Sequence, residues 1–214
     1  MPDSDGRIVW IDCEMTGLDT TRDALVEVAV TVTDAALNEL DEGIGLVIRP
    51  ADMSVLDGMI EVVRTMHAES GLLAEIPDGV PLAVAAEQVQ AYITRWVPEA
   101  RRAPLGGSSV YVDRLFLARD MPAVDAHLHY RHVDVSTIKE LARRWYPRTF
   151  GNAPLKTGNH RALADIQESI AELRYYRDAV FVTPPGPGSD LAKGLAARHQ
   201  RPTPAPPPAP AEAG

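Results

Sequence analysis

At 214 residues, with 45% hydrophobic and 24% charged residues, the chain is long enough for one compact domain with a substantial core, and nothing requires two. Its formal net charge of −9 is the wrong sign for gripping long nucleic acid by neutralising many phosphates with Lys and Arg. The opening MPDSDGR lacks the features of a signal sequence, no run approaches the ~18 apolar residues of a bilayer crossing, and the lone cysteine, Cys13, excludes an internal disulfide or a Cys-based zinc site.

The expectation is therefore a soluble, cytosolic protein. Ile8, Val9, Trp10 and Ile11 are apolar on both faces and predict a central strand, which ends on Asp12 and Glu14 in WIDCEMTGLD. Val26, Val28, Val30 and Val32 alternate along one face of a second strand, and IGLVIRP reads as its antiparallel partner. Leu56, Met59, Ile60 and Val63 have helical spacing within a segment from about Leu56 to His67. Pro81 to Trp96 predicts a clearer helix, with Pro in its first turn and Leu82, Ala85, Val89, Tyr92, Ile93 and Trp96 on one stripe.

LGGSSVYV predicts a short strand running into a helix that opens near Asp113, and HVDVS predicts another strand. STIKELARRWYP follows as a helix with capping-box spacing from Thr137 to Glu140. The last helix covers about His160 to Ala179, with Leu163, Ile166, Ile170 and Leu173 inward. The fold is thus expected within residues 1–182, and the Pro- and Ala-rich residues 183–214 are expected as a disordered tail. A hairpin followed by strands alternating with helices indicates an α/β fold, a mixed sheet flanked by helices.

The chemistry starts from the two acids. Side chains at i and i+2 of a strand share a face, about 6.6 Å apart along it, so Asp12 and Glu14 converge on one patch. That patch lies beyond the carboxyl end of a central strand, where open α/β sheets bind ligands. Like charges there raise each other's pKa unless a cation compensates, and hard ions with oxygen ligands, Mg²⁺ or Mn²⁺, answer that need. The competing reading is that the pair marks where the strand emerges into water. Spacing alone leaves both open. Taken singly, Asp113 reads as a helix cap, Asp165 as a solvated helix charge, and His160 as an exposed group at a helix start. An imidazole there would also suit proton transfer from water.

Asp12-x-Glu14 after a strand, Asp113 at a helix start, and His160 with Asp165 five residues on resemble the DEDD exonuclease superfamily in its histidine-containing branch. The blocks IDCEMTGLD, MHAESGL, DRLFLARDMP, HYRHVDVSTIKELARRWYP and GNHRALADIQESIAELRYYR are similar, in that order, to the oligoribonuclease family. The resemblance implies a ribonuclease H-like mixed sheet of five strands, a homodimer, and degradation of very short RNA. It implies metal ligation by Asp12, Glu14, Asp113 and Asp165 and general-base duty for His160. Leu18 corresponds to a residue packing against substrate bases, and His67 to a substrate-contacting histidine whose dull alternative is a helix-terminal surface group. Ser109, Arg131, Ser136 and Thr137 match a 5′-phosphate site, and Tyr130 a base-stacking aromatic; Tyr130 and Arg131 would come from the other subunit.

The chain departs from the family's Cys-Gly-Asn-Ser at Leu105-Gly106-Gly107-Ser108-Ser109, and Tyr111 and Val112 replace a small-and-polar pair beside Asp113. Cys13 falls on the opposite strand face from the acids and reads as core. The expected reaction is two-metal-ion hydrolysis of short oligoribonucleotides from the 3′ end to 5′-mononucleotides. A substrate with few phosphates needs no basic track, which reconciles the activity with the acidic balance. Two rivals stand beside it: a proofreading-type DNA exonuclease of the same superfamily, and an inactive dimeric nucleotide-binding module.

Overall fold

The computed structural model describes residues 6–155 and 160–200. Residues 156–159, whose sequence KTGN suggests a glycine-containing turn ahead of His160, lie outside that range, as do 201–214 of the expected tail. The chain divides into two units, Met1–Val180 and Phe181–Gly214.

In the first unit, β1 (Ile8–Met15), β2 (Leu25–Thr33) and β3 (Ile44–Arg49) form an antiparallel meander. Helices α1 (Glu61–Glu69) and α2 (Leu72–Glu75) lead to a two-residue strand, β4 (Val80–Pro81), and to α3 (Leu82–Trp96). Then come β5 (Pro104–Gly107), α4 (Tyr111–Asp120), α5 (Pro122–His127), β6 (His129–Asp134), α6 (Val135–Trp145), α7 (Pro147–Gly151) and α8 (Ala162–Val180). The sheet has six strands in the order β4-β3-β2-β1-β5-β6, with β5 and β6 parallel to β1. The expected count was five; the sixth is β4, where Val80 and Pro81 add to the outer edge of β3.

β1 is central because both its faces are covered. Val9, Ile11 and Cys13 join Val28, Val30 and Val32 under Ala85, Val89, Tyr92 and Ile93 of α3. Trp10, fully buried on the other face, packs with Ala29, Val135, Ala162, Ile166 and Ile170. Helix-period stripes on α3 and α8 thus cover opposite sides of one strand-period sheet. Val26 does not share the face of the other three valines. The β1–β2 register shifts between Glu14 and Met15, leaving Val26 as the extra residue of a bulge, and it packs instead with Met59, Leu72 and Ile76.

Element starts differ from the local signals. Pro81 is the cap of α3 rather than its first turn. α6 is capped by Asp134, whose carboxylate accepts from the Ser136 N–H, and not by a Thr137–Glu140 box; Glu140 instead pairs with Arg143 and Arg144. The second unit contains α9 (Ser189–His199), where the sequence reading expected no ordered element. Its prolines are confined to the flanks, and SDLAKGLAARH is rich in good helix formers. α9 buries no residue, in keeping with a composition that cannot build a core.

The Gly106 departure is compatible with this packing. A Cβ there would lie 2.7 Å from Ile8 Cγ2 and 2.9 Å from Trp10 Cδ2, both on the crowded side of β1. Gly106→Ala should destabilise the protein by about 1–3 kcal/mol through overpacking, read as a lowered midpoint in chemical denaturation; an unchanged midpoint would show that the Trp10 ring yields freely.

Candidate active site

The bulge sits where β1 leaves the core. Asp12 and Glu14 project from the same face as Trp10, the face that α8 covers. Cys13 points the other way and is buried in the core, as expected from alternation. Glu14 is buried and stands directly opposite Glu27 of β2, so two carboxylates meet across the strands with like charge.

α8 brings the remaining pieces. Asp165 lies in its first turn, and His160 precedes it with φ +48°, a left-handed conformation that is uncommon for any residue but glycine. One donor atom each from Glu14, His160 and Asp165 lies within 4.8 Å of the others. Residues more than 140 positions apart in sequence thus share one small volume. Asp113, in the first turn of α4, is buried, and its Oδ1 accepts from the Cys13 N–H at 2.9 Å. That bond ties the third acid to the backbone between the first two.

Electrostatics follow from crowding. Burial, and then the carboxylates of Asp165, Glu27 and Asp113, push Glu14 up to about 8, against the opposing pull of Arg161. Burial likewise raises Asp113 to about 7, although hydrogen bonds from the Cys13 backbone oppose it. The Cys13 thiol is held protonated by burial and by the negative charges of Asp113, Asp12 and Glu14, so it is no nucleophile. Clustered carboxyl oxygens at an open strand end are a donor set for a hard divalent cation, and the residues present fit one.

Around this centre the other expected residues fall into three groups. Leu18 is 73% exposed at the tip of a tightly bonded loop. Buried Asp23 accepts from Thr16 Oγ1 at 3.3 Å and from the Asp19 N–H at 2.9 Å, and Thr16 N–H donates to Ala24 O at 2.9 Å. The carboxylate of Asp23 also occupies the space a Cβ on Gly17 would need. An apolar side chain is thereby held out in water by polar bonds beneath it.

His67 is fully buried, so the alternative of a surface group fails. Its Nε2 donates to Met15 O at 2.9 Å, and its Nδ1 lies 3.9 Å from Glu14 Oε2. In that place it holds the end of β1.

Ser109 and Ser136 come together around Asp134. The Ser109 N–H donates to Asp134 Oδ1 at 3.0 Å and to Ser136 Oγ at 3.1 Å. Ser109 has φ +58°, a strain these bonds sustain. Thr137 is exposed in the same first turn of α6. Tyr130 and Arg131 are exposed on the edge strand β6, the guanidinium 5.4 Å from the ring centroid.

Four residues escaped the sequence reading: Glu27, Arg161, Asp23 and Asp134. Glu27 left a signal as an acid inside the apolar run LVEVAVTVT, and Asp134 stood in a capping position two residues before Ser136; Asp23 bonds within its own loop, whereas Arg161 acts through partners distant in sequence.

The raised carboxyls set a pH dependence. Glu14 binds its proton more tightly folded than unfolded, so its contribution to stability is full below about 4.5 and is lost as pH rises toward 8. Without divalent ions, wild-type stability should fall over that window by on the order of a few kcal/mol, and Glu14→Gln should flatten the decline. Thermal melts in a chelator at several pH values read this directly; parallel slopes for the two proteins would contradict it.

The exonuclease family model matches residues 9–173. The chain is 62% identical over 196 residues to an oligoribonuclease of Streptomyces avermitilis, covering 92% of this chain and 98% of that protein. Among solved structures, exonuclease I of Methylocaldum szegediense matches with a TM-score of 0.59 at 20% identity, over 81% of this chain and 41% of that one. Exonuclease I of E. coli in complex with a dA16 oligonucleotide matches with a TM-score of 0.60 at 17% identity, over 81% and 41%. The chain thus spans about two fifths of those exonuclease I chains, which share its fold, and nearly the whole of its Streptomyces relative. With an exonuclease model over most of its length and this degree of identity, the chain belongs to the oligoribonuclease family of the DEDD exonuclease superfamily.

Proposed function

We propose that the protein is a 3′-to-5′ exoribonuclease that degrades short oligoribonucleotides, dinucleotides foremost, to 5′-mononucleotides. The observation that carries this reading is the meeting of Glu14, His160 and Asp165 within 4.8 Å of one another at the open end of β1. Asp12, Glu14, Asp113 and Asp165 would hold two divalent ions, Mg²⁺ or Mn²⁺, which when bound polarise the phosphate and acidify the attacking water. His160, with a ring nitrogen within 4.8 Å of carboxylate oxygens of Glu14 and Asp165, would take the proton of the attacking water. The P–O3′ bond breaks, so the phosphate stays on the released nucleotide as its 5′ group.

Substrate contacts follow the remaining residues. Leu18 offers an apolar surface to the bases, and Ser109, Ser136, Thr137 and Arg131 take the 5′-terminal phosphate. Tyr130 stacks on a base. Tyr130 and Arg131 reach the site of a second copy in a homodimer; support comes from their place on the sheet's outer strand, where Tyr130 leaves 72% of its surface to water. His67, being buried, serves the substrate through Glu14 and the β1 end. A 5′-phosphate seat at a set distance from the acids measures length and selects the shortest chains.

No helix among the described residues is long and apolar enough to cross a membrane. A lone, buried cysteine, Cys13, fits a reducing compartment such as the cytoplasm.

With a 5′-phosphorylated RNA dinucleotide and Mn²⁺, wild type should release mononucleotide, and Asp12→Ala or His160→Ala should slow turnover by about 10²–10⁴-fold. Turnover within a factor of about two of wild type in either variant would remove that residue from the mechanism. The same substrate should outcompete a long single-stranded DNA, and its binding should show a salt slope of no more than about two charges. A steeper slope would point to a processive nuclease with an extended track.

A further inference from the structure

We infer that Arg161 is a positioning residue, clamped between Glu27 and Glu75, that sets where His160 and Asp165 stand relative to Glu14. The inference rests on the hydrolytic reading of those three residues, and it assigns a task to a side chain whose partners are the carboxylates of Glu27 and Glu75.

Arg161 lies between His160, just ahead of α8, and Asp165 in its first turn. Its carbonyl accepts from the Asp165 N–H at 3.0 Å, the bond that opens the helix. The next N–H, of Ala162, is one of the donors a helix start leaves without an intrahelical partner, and it donates to Glu27 Oε2 at 3.1 Å. The other oxygen of Glu27 accepts from Arg161 Nε at 3.1 Å and Nη2 at 3.0 Å. The same guanidinium donates from Nη1 to Glu75 Oε1 at 3.1 Å and from Nη2 to Glu75 Oε2 at 2.9 Å. Three nitrogens of one planar group therefore join β2, the end of α2 and the start of α8.

The clamp does two things at once. It fixes the direction in which α8 sets out beside Glu27, which decides whether Asp165, one turn on, faces Glu14. It also offsets the charge of Glu27, whose side chain is only 5% exposed and faces Glu14 across the strands. Removing the guanidinium would leave a buried carboxylate unpaired beside the acids. Lysine keeps the charge but cannot bridge two carboxylates with a planar fork. Glu75 is half-exposed, so its share of the clamp is the smaller one.

The test compares wild type with Arg161→Ala, Arg161→Lys and Glu75→Gln in three readouts. These are kcat and KM on the 5′-phosphorylated dinucleotide, Mn²⁺ binding without substrate by electron paramagnetic resonance, and amide exchange at residues 162–165. Arg161→Ala should lower kcat by about 10²-fold, since a misplacement near 1 Å has that effect, with KM changed far less. Its Mn²⁺ dissociation constant should rise about tenfold and its helix-start amides should exchange at least about tenfold faster, in line with loss of local rather than global stability. Arg161→Lys should recover part of all three, and Glu75→Gln should lie nearest wild type.

If Arg161→Ala fails to fold, the ordering of the other two variants decides. An unchanged kcat, Mn²⁺ affinity and exchange pattern in folded Arg161→Ala overturns the inference, as does Arg161→Lys matching wild type throughout. Wild-type protein that neither cleaves the dinucleotide nor binds Mn²⁺ would instead overturn the proposed function, and exchange at the helix start would then judge the clamp by itself.

Discussion

Gathering Glu14, Glu27, Asp113 and Asp165 around the end of one buried strand sets like charges in a low-dielectric place, and the neighbouring structure is organised by that repulsion. Burial alone disfavours each charge, and each neighbour adds to the effect, which is why Glu14 and Asp113 are raised toward neutrality. One guanidinium, that of Arg161, offsets part of the total. Divalent cations are the natural complement of the rest, because their charge inverts the local balance.

The sheet supplies the rigidity that such a cluster needs. β1 is held along its length by an antiparallel neighbour and at Val9 and Trp10 by a parallel one, while Asp113 and His67 bond its backbone at Cys13 and Met15. The bulge at Val26 of β2, opposite Glu14 and Met15, interrupts the β1–β2 ladder at the site itself, a common place for bulges. Two predicted site residues, Ser109 and His160, sit at positive φ. Each is a backbone conformation that only the surrounding bonds and packing sustain, so local strain collects where the chemistry is read to occur.

The acidic net charge and a phosphodiester substrate are compatible because the surface around the site does not act as an extended cation. The groups proposed to meet substrate are few: an exposed leucine braced from below by Asp23, two serines drawn together by Asp134, and an arginine lying over a tyrosine. A molecule bearing one or two phosphates can be held by such a set. A long strand would find few further partners on a chain of formal charge −9.

From the sequence by itself came the elements that depend on local periodicity, since alternation and helical spacing are properties of neighbours along the chain. The central strand, the α3 and α8 stripes, the placement of Cys13 in the core and the family motifs were all legible that way. The tertiary structure decided what depends on partners far apart in the chain. It moved Val26 off its face through a bulge, buried His67 against Met15 and Glu14, gave the first N–H of α8 to Glu27, and joined Arg161 to Glu27 across 134 positions. The two-residue β4 was invisible for the same reason: a strand that short exists only because β3 offers its edge. Charge compensation and capping are set by distance in space, and spacing along the chain carries no record of that distance.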